Sequence, residues 1–132
     1  MASPEIMSKT LHVLLAEDTR AYLERIVTLL DGLNLKIRLA EDGEQAIEYI
    51  TNLSEPLDLL VTDMDMPKRT GWHVIEALRA HRGDAIPVIM QTGEAQYDWV
   101  QTRAAEMEIE LIDKIHVDTR LVDAVRRALQ LP

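Results

Sequence analysis

Five apolar segments alternating with five helical patterns predict a doubly wound α/β fold, a five-stranded parallel sheet with helices on both faces. Two further observations support it. The third and fourth apolar segments are unbroken runs rather than alternating patterns, which suits central strands covered on both sides. Each strand is separated from the next by a helix, which implies right-handed crossovers.

The first strand is His12–Ala16 (HVLLA). A helix follows from about Thr19 to Leu30, with Leu23, Ile26, Val27 and Leu30 on one stripe and a stop at Asp31-Gly32. The second strand, Lys36–Ala40 (KIRLA), precedes a helix from about Gly43 to Leu53 that carries Ala46, Ile47 and Ile50. The third strand, Leu57–Thr62 (LDLLVT), leads to a helix after Gly71 with Val74, Ile75 and Leu78 on one face. Pro87–Gln91 (PVIMQ) is the fourth strand, and the fourth helix, about Ala95 to Met107, aligns Val100, Ala104 and Met107. Ile109–Ile112 (IELI) completes the sheet, and Asp118 to Leu131 presents Leu121, Val122, Val125 and Leu129.

With 132 residues, 47% hydrophobic and 28% charged, the chain has the size and composition of one soluble globular domain. Residues 1–10 read as an N-terminal tail and 11–132 as the domain. The tail has one lysine and no sustained apolar stretch, unlike a signal peptide, and no apolar run approaches a membrane span. There is no cysteine, hence no disulfide, thiol nucleophile or cysteine–zinc site, and a cytoplasmic location is the default expectation. The 23 acidic residues against 14 basic ones, a net charge of −9, argue against direct nucleic-acid binding, which depends on Lys and Arg neutralising phosphates. That charge reads as solubility. His12, His73, His81 and His116 lack metal-ligand spacing and read as ordinary surface or helix residues.

In open α/β sheets ligands bind at the carboxyl ends of the strands, near a topological switch point. Those ends carry Glu17 and Asp18, then Asp63, then Thr92 and Gly93, then Asp113 and Lys114. Taken singly each has a plain structural reading: Asp18 a helix cap, Thr92 a cap for the following helix, Lys114 a solvated surface lysine. Together, each at a strand end, they form a pocket of converging carboxylates with one hydroxyl and one ammonium. Like charges that close repel unless a cation neutralises them. A hard divalent ion with oxygen ligands is the natural remedy, and Mg²⁺ typically takes one or two protein carboxylates plus waters and phosphate oxygens.

The stretch VTDMDMPKRTG (Val61 to Gly71) strongly resembles the phosphoacceptor segment of the response-regulator receiver domains of two-component signalling, and the expectation is a single-domain, chemotaxis-regulator-like member. LLAED (Leu14 to Asp18) resembles their acidic pair, VIMQTGEA (Val88 to Ala95) resembles their threonine strand, and Lys114 stands where the family has its lysine. The spacing agrees: 45 residues from Asp18 to Asp63, 29 to Thr92 and 22 to Lys114. The resemblance runs from about Leu11 to Leu131 and implies the flavodoxin-like receiver fold.

It also implies roles. Asp63 would be the phosphoacceptor, attacking a phosphohistidine on a sensor histidine kinase or histidine phosphotransfer protein. Asp18, Asp63 and the backbone carbonyl of Asp65 would hold Mg²⁺, or Mn²⁺ in its place, with Glu17 acting through water. Lys114 would pair with the phosphoryl oxygens and Thr92 would hydrogen-bond to them. Such a domain is not an enzyme with turnover; it catalyses only its own phosphorylation and dephosphorylation. Its output would pass to a downstream protein at the face made by the fourth helix, fifth strand and fifth helix, with any DNA-binding or enzymatic output outside these residues. Asp65 and Glu94 stand two residues beyond Asp63 and Thr92, at positions resembling those that tune hydrolysis.

The departures from the pattern concern switching. Ile115 follows the lysine where the family usually has Pro, commonly after a cis bond. A cis bond before Ile would cost about 2.5–4 kcal/mol, so a trans bond with a reshaped loop or a strained bond is expected. Leu111 replaces the usual reporting aromatic, Met107 stands near a usual helix-ending glycine, and Tyr97 and Trp99 on the fourth helix are the aromatic groups left for a partner. Two rival functions follow from the same residues. A binding module that keeps the fold without phosphorylation would explain the altered segment after Lys114, though every chemically required group remains. Asp63-Met64-Asp65 imitates the DxD of haloacid-dehalogenase-type phosphatases, but those place it on an early strand of a longer chain. Here two strands precede it and only 69 residues follow.

Overall fold

A computed structural model describes residues 9–132, so residues 1–8 of the tail expected over 1–10 lie outside the described residues. Five strands, β1 (Leu11–Ala16), β2 (Leu35–Ala40), β3 (Leu59–Asp63), β4 (Val88–Thr92) and β5 (Glu110–Asp113), form one parallel sheet in the order β2-β1-β3-β4-β5. The helices are α1 (Arg20–Leu30), α2 (Gly43–Thr51), α3 (Gly71–Arg82), α4 (Asp98–Glu106) and α5 (Val117–Leu129).

Alternation along each strand divides the core in two. Val13, Leu15, Leu59, Val61, Ile89 and Ile112 pack with Leu23, Ile26 and Leu30 of α1 and Leu121, Ala124 and Val125 of α5. Leu14, Ala16, Leu60, Val88 and Met90 pack with Ala46 and Ile50 of α2, Val74, Ile75 and Leu78 of α3, and Val100 and Ala104 of α4. A strand buried on both sides has no polar face to alternate with, and every residue of β3 and β4 is buried. The chain reverses its direction of travel across the sheet between β1 and β3, which leaves a crevice at their carboxyl ends.

Several boundaries differ from the sequence reading by one to three residues, for local reasons. The third strand begins at Leu59, not Leu57: the Asp58 N–H donates to the His12 carbonyl (2.8 Å) while its carboxylate accepts from the His12 N–H (2.7 Å), closing the strand's entrance. Helix α2 stops at Thr51, not Leu53, because the Arg82 guanidinium donates to the Ile50 (2.9 Å) and Asn52 (2.9 Å) carbonyls and caps its end. Helix α4 starts at Asp98, not Ala95; residues 94–97 make a turn, and Tyr97 is the cap residue rather than a helical one. Helix α1 does end at Leu30, but the left-handed residue after it is Asn34 (φ 55°), beyond a 3₁₀ turn over Asp31–Leu33, rather than Gly32. After α4 the same conformation falls to Glu108 (φ 55°), next to Met107. His12 lies half-buried on β1 instead of on a surface or helix, and His73 closes a capping box with Thr70 at the start of α3.

Gly71 shows how tightly α3 is set against the strand end. Its N–H donates to the Met64 carbonyl (2.7 Å), and a Cβ added there would lie 2.1 Å from the Asp63 carbonyl oxygen. Backbone cannot yield as a side-chain tip can. Gly71→Ala is therefore expected to destabilise the fold by about 2–3 kcal/mol, read as a lower urea midpoint at unchanged m-value.

Candidate functional site

Glu17 continues β1 by one residue, its N–H donating to the Ala40 carbonyl (3.0 Å), and its side chain is fully buried. Asp18 follows in the exposed loop. It does not cap α1, because the cap position belongs to Thr19, whose N–H donates to Glu17 Oε2 (3.2 Å). Asp63 closes β3 at 5% exposure, with Oδ1 accepting from the Met64 N–H (2.8 Å). Carboxylate oxygens of Glu17, Asp18 and Asp63 all lie within 4.8 Å of one another.

Lys114 enters this trio from the end of β5. Its Nζ is 3.1 Å from Glu17 Oε1 and 3.3 Å from Asp63 Oδ2, with a quarter of the side chain exposed. That is not a solvated surface lysine. The segment behind it is a 3₁₀ turn over Lys114–His116, opened by Asp113 Oδ1 accepting from the Ile115 N–H (3.1 Å). Proline has no such N–H. The Lys114–Ile115 bond is trans, the reshaped loop of the two expected outcomes, and Ile115 points its side chain into solvent at 80% exposure.

Thr92 ends β4, 2% exposed, and its Oγ1 accepts from the Glu94 N–H (3.1 Å). The bond shapes the turn before α4 and caps no helix. Asp65 lies outside the carboxylate trio, exposed, and its carboxyl beside that of Glu94 holds the Glu94 carboxyl above the usual range.

The electrostatics follow from burial. Desolvation, then the charge of Asp63, pushes the Glu17 carboxyl up to about 7. Burial also raises Asp63, with the Lys114 ammonium opposing it. For Lys114, burial works to lower the pKa, but Asp63 and Glu17 more than offset it and the net shift is upward. One ammonium thus pairs with two of the three carboxylates, and even so both of those are held above their ordinary range. The donors are all hard oxygens and the uncompensated charge is negative, which fits a small divalent cation such as Mg²⁺.

Two neighbours escaped the sequence reading. The Tyr22 ring, in the first turn of α1, has Lys114 Nζ 4.4 Å from its centroid. Its hydroxyl is buried without a hydrogen-bond partner among the described residues, and burial and the carboxylates raise its pKa, so it stays neutral. The signal was an aromatic one residue before the Leu23 stripe, at the strand-end tip of the helix. Gln91 pairs in register with Asp63, so the two side chains share one sheet face; it is fully buried, and neither amide atom has a partner among the described residues. It ended an apolar run in the sequence and passed as part of it.

Known proteins resemble this chain in sequence and in fold. The family profile described as "Response regulator receiver domain" matches residues 13–126. The transcriptional regulatory protein DltR of Streptococcus agalactiae serotype III (strain NEM316) is 32% identical over 127 residues, covering 88% of this chain and 55% of DltR. The transcriptional regulatory protein CpxR of Escherichia coli K12 is 36% identical over 80 residues, covering 61% of this chain and 32% of CpxR. The chain thus spans about half, or less, of the length of these curated relatives. Among solved structures, a CheY-like response regulator receiver domain protein from Methanospirillum hungatei JF-1 superposes with a TM-score of 0.82 at 20% identity, over 92% of this chain and 95% of that one. The signal receiver domain of an HD domain-containing protein from Pseudomonas fluorescens Pf-5 gives 0.80 at 24% identity, over 92% and 96%. At those identities the likeness is one of fold.

Proposed function

The chain belongs to the response regulator receiver domain family, and from that premise we propose that it accepts a phosphoryl group on Asp63 from a histidine kinase or histidine phosphotransfer protein. The observation that carries the proposal is the position of Asp63: a buried strand-end carboxylate paired with Lys114 at 3.3 Å and gathered with Glu17 and Asp18 within 4.8 Å.

An Asp63 oxygen attacks the phosphorus in line, the P–N bond to the donor imidazole breaks, and the imidazole leaves with that electron pair. Asp18, Asp63 and the Asp65 carbonyl, with Glu17 acting through water, would hold Mg²⁺, which would supply charge neutralisation for the carboxylates and the incoming phosphoryl oxygens. Lys114 already touches Asp63, so its ammonium reaches the added oxygens with little movement. Buried placement makes that charge worth more than it would be in water. Thr92 uses its oxygen to accept from the Glu94 N–H, which leaves its own proton free to donate to a phosphoryl oxygen. That bond exists only in the phosphorylated state, so it is a differential interaction able to shift a two-state equilibrium. A typical coupling of about 1–3 kcal/mol changes the active population about 5- to 150-fold.

The shift would be read on the α4–β5–α5 face, where no aromatic stands at position 111. Tyr97, Trp99 and Ile115 are exposed there, and the Trp99 ring lies 6.4 Å from that of Trp72 on α3. The turn over residues 93–96, tied to Thr92 through Glu94, is the link to α4. Among the described residues no helix is long and apolar enough to cross a membrane.

Incubation with a small phosphodonor tests the proposal directly. Intact-mass spectrometry should find one added phosphoryl group with Mg²⁺ and none after chelation; metal-independent or absent labelling would overturn it. The ligand set has its own test by calorimetric Mg²⁺ titration. Asp18→Asn should weaken binding by about tenfold or more, because a carboxylate ligand is removed, whereas Asp65→Asn keeps the backbone oxygen and should stay within about twofold. Equal weakening would contradict the assignment.

A further inference from the structure

Lys114 carries its charge on four methylenes and is a quarter exposed, so something must hold its ammonium at the acceptor. Two of its neighbours are carboxylates, Glu17 at 3.1 Å and Asp63 at 3.3 Å. One of these changes during the reaction, since Asp63 becomes an acyl phosphate. The third neighbour does not change: the face of the Tyr22 ring, its centroid 4.4 Å from Nζ. Tyr22 stands on the first hydrogen-bonded turn of α1, where the Leu23 N–H donates to the Thr19 carbonyl (2.9 Å), and its ring packs against the core beneath α1 and α5. A neutral ring face attracts an ammonium without a hydrogen bond that must break when the ammonium turns from a carboxylate to a phosphoryl oxygen.

We propose that Tyr22 is a positioning residue for phosphoryl transfer, its ring face holding the Lys114 ammonium between Glu17 and Asp63 before and after the transfer. The role belongs to the ring, not to the hydroxyl, which is buried and has no partner among the described residues. This inference rests on the proposed phosphorylation of Asp63.

The test measures Mg²⁺-dependent labelling of the full chain by a small phosphodonor such as phosphoramidate, over a range of donor concentrations. Tyr22→Phe keeps the ring and should label at the wild-type rate. Tyr22→Leu should lower the maximal rate roughly 3- to 30-fold, with Mg²⁺ affinity and half-saturating donor concentration unchanged. A role in stability alone would not produce that split. Proton NMR gives a second readout: the Lys114 ε-methylene signals should be shifted upfield by the ring, retained in the Phe variant and absent in the Leu variant. Ordinary ε-methylene shifts in the wild type overturn the proposal whether or not the Leu variant folds. Equal rates for Leu and Tyr overturn it while leaving the acceptor role of Asp63 intact. A Phe variant as slow as Leu moves the role to the hydroxyl and overturns the assignment to the ring. A wild type that takes no label overturns the phosphoacceptor reading, and this inference with it.

Discussion

Asp63→Asn is expected to abolish phosphoryl labelling. The amide has nearly the shape of the carboxylate but is neutral and a poor nucleophile, so it cannot form the acyl phosphate. The effect should not come from unfolding. Asp63 is 5% exposed, and burial raises its pKa, so the ionised carboxylate is a charge that the fold holds at some cost. Replacing it with an amide removes a repulsive partner of Glu17, and circular dichroism should be native. Intact-mass spectrometry with Mg²⁺ present is the measurement. Undiminished labelling of the variant would place the acceptor elsewhere, and partial labelling would require a second site.

Lys114→Ala is expected to label about 10²- to 10³-fold more slowly, the usual cost of deleting one preorganised charge stabiliser in a buried site. It should nevertheless fold. Removing the ammonium leaves Glu17 and Asp63 facing each other, but Glu17 is already held up to about 7 and can take a proton in compensation. The ion pairs that Lys114 makes with Glu17 (3.1 Å) and Asp63 (3.3 Å) are together worth about 1–3 kcal/mol, less than the usual stability of a domain. Mg²⁺ binding should persist, because Lys114 contributes no oxygen. Native circular dichroism, a modestly lower urea midpoint and retained Mg²⁺ titration alongside slow labelling would establish a charge role. An unfolded variant would make the lysine structural.

These two variants separate the chemistry from the scaffold, a division that the residues themselves suggest. Asp63, Thr92 and Lys114 were legible as candidates because each stood at the end of an apolar segment, where a parallel sheet collects its functional groups. Glu17 and Asp18 were visible for the same reason, yet their adjacency concealed a division of labour. Glu17 is sealed in the sheet and bonded to Lys114, while Asp18 is exposed at the mouth. Which of two neighbouring acids is buried depends on which side of the strand faces α1 and α5.

The elements, their order and the two-sided core were determined by sequence alone, because they arise from local physics. Alternation with period two and helical stripes each operate over a few residues, and a glycine or proline punctuates them where it stands. Element ends were less legible where a distant residue decides them: Arg82 caps α2 through Ile50 from thirty-two positions away. Tertiary structure alone decided the partners of the site. Lys114 meets Glu17 across ninety-seven positions, Tyr22 slides its ring under that ammonium, and Gln91 is buried opposite Asp63. Nothing in a local pattern encodes such pairings. They exist because close packing of α1 and α5 against one face of the sheet leaves each side chain a single place to go.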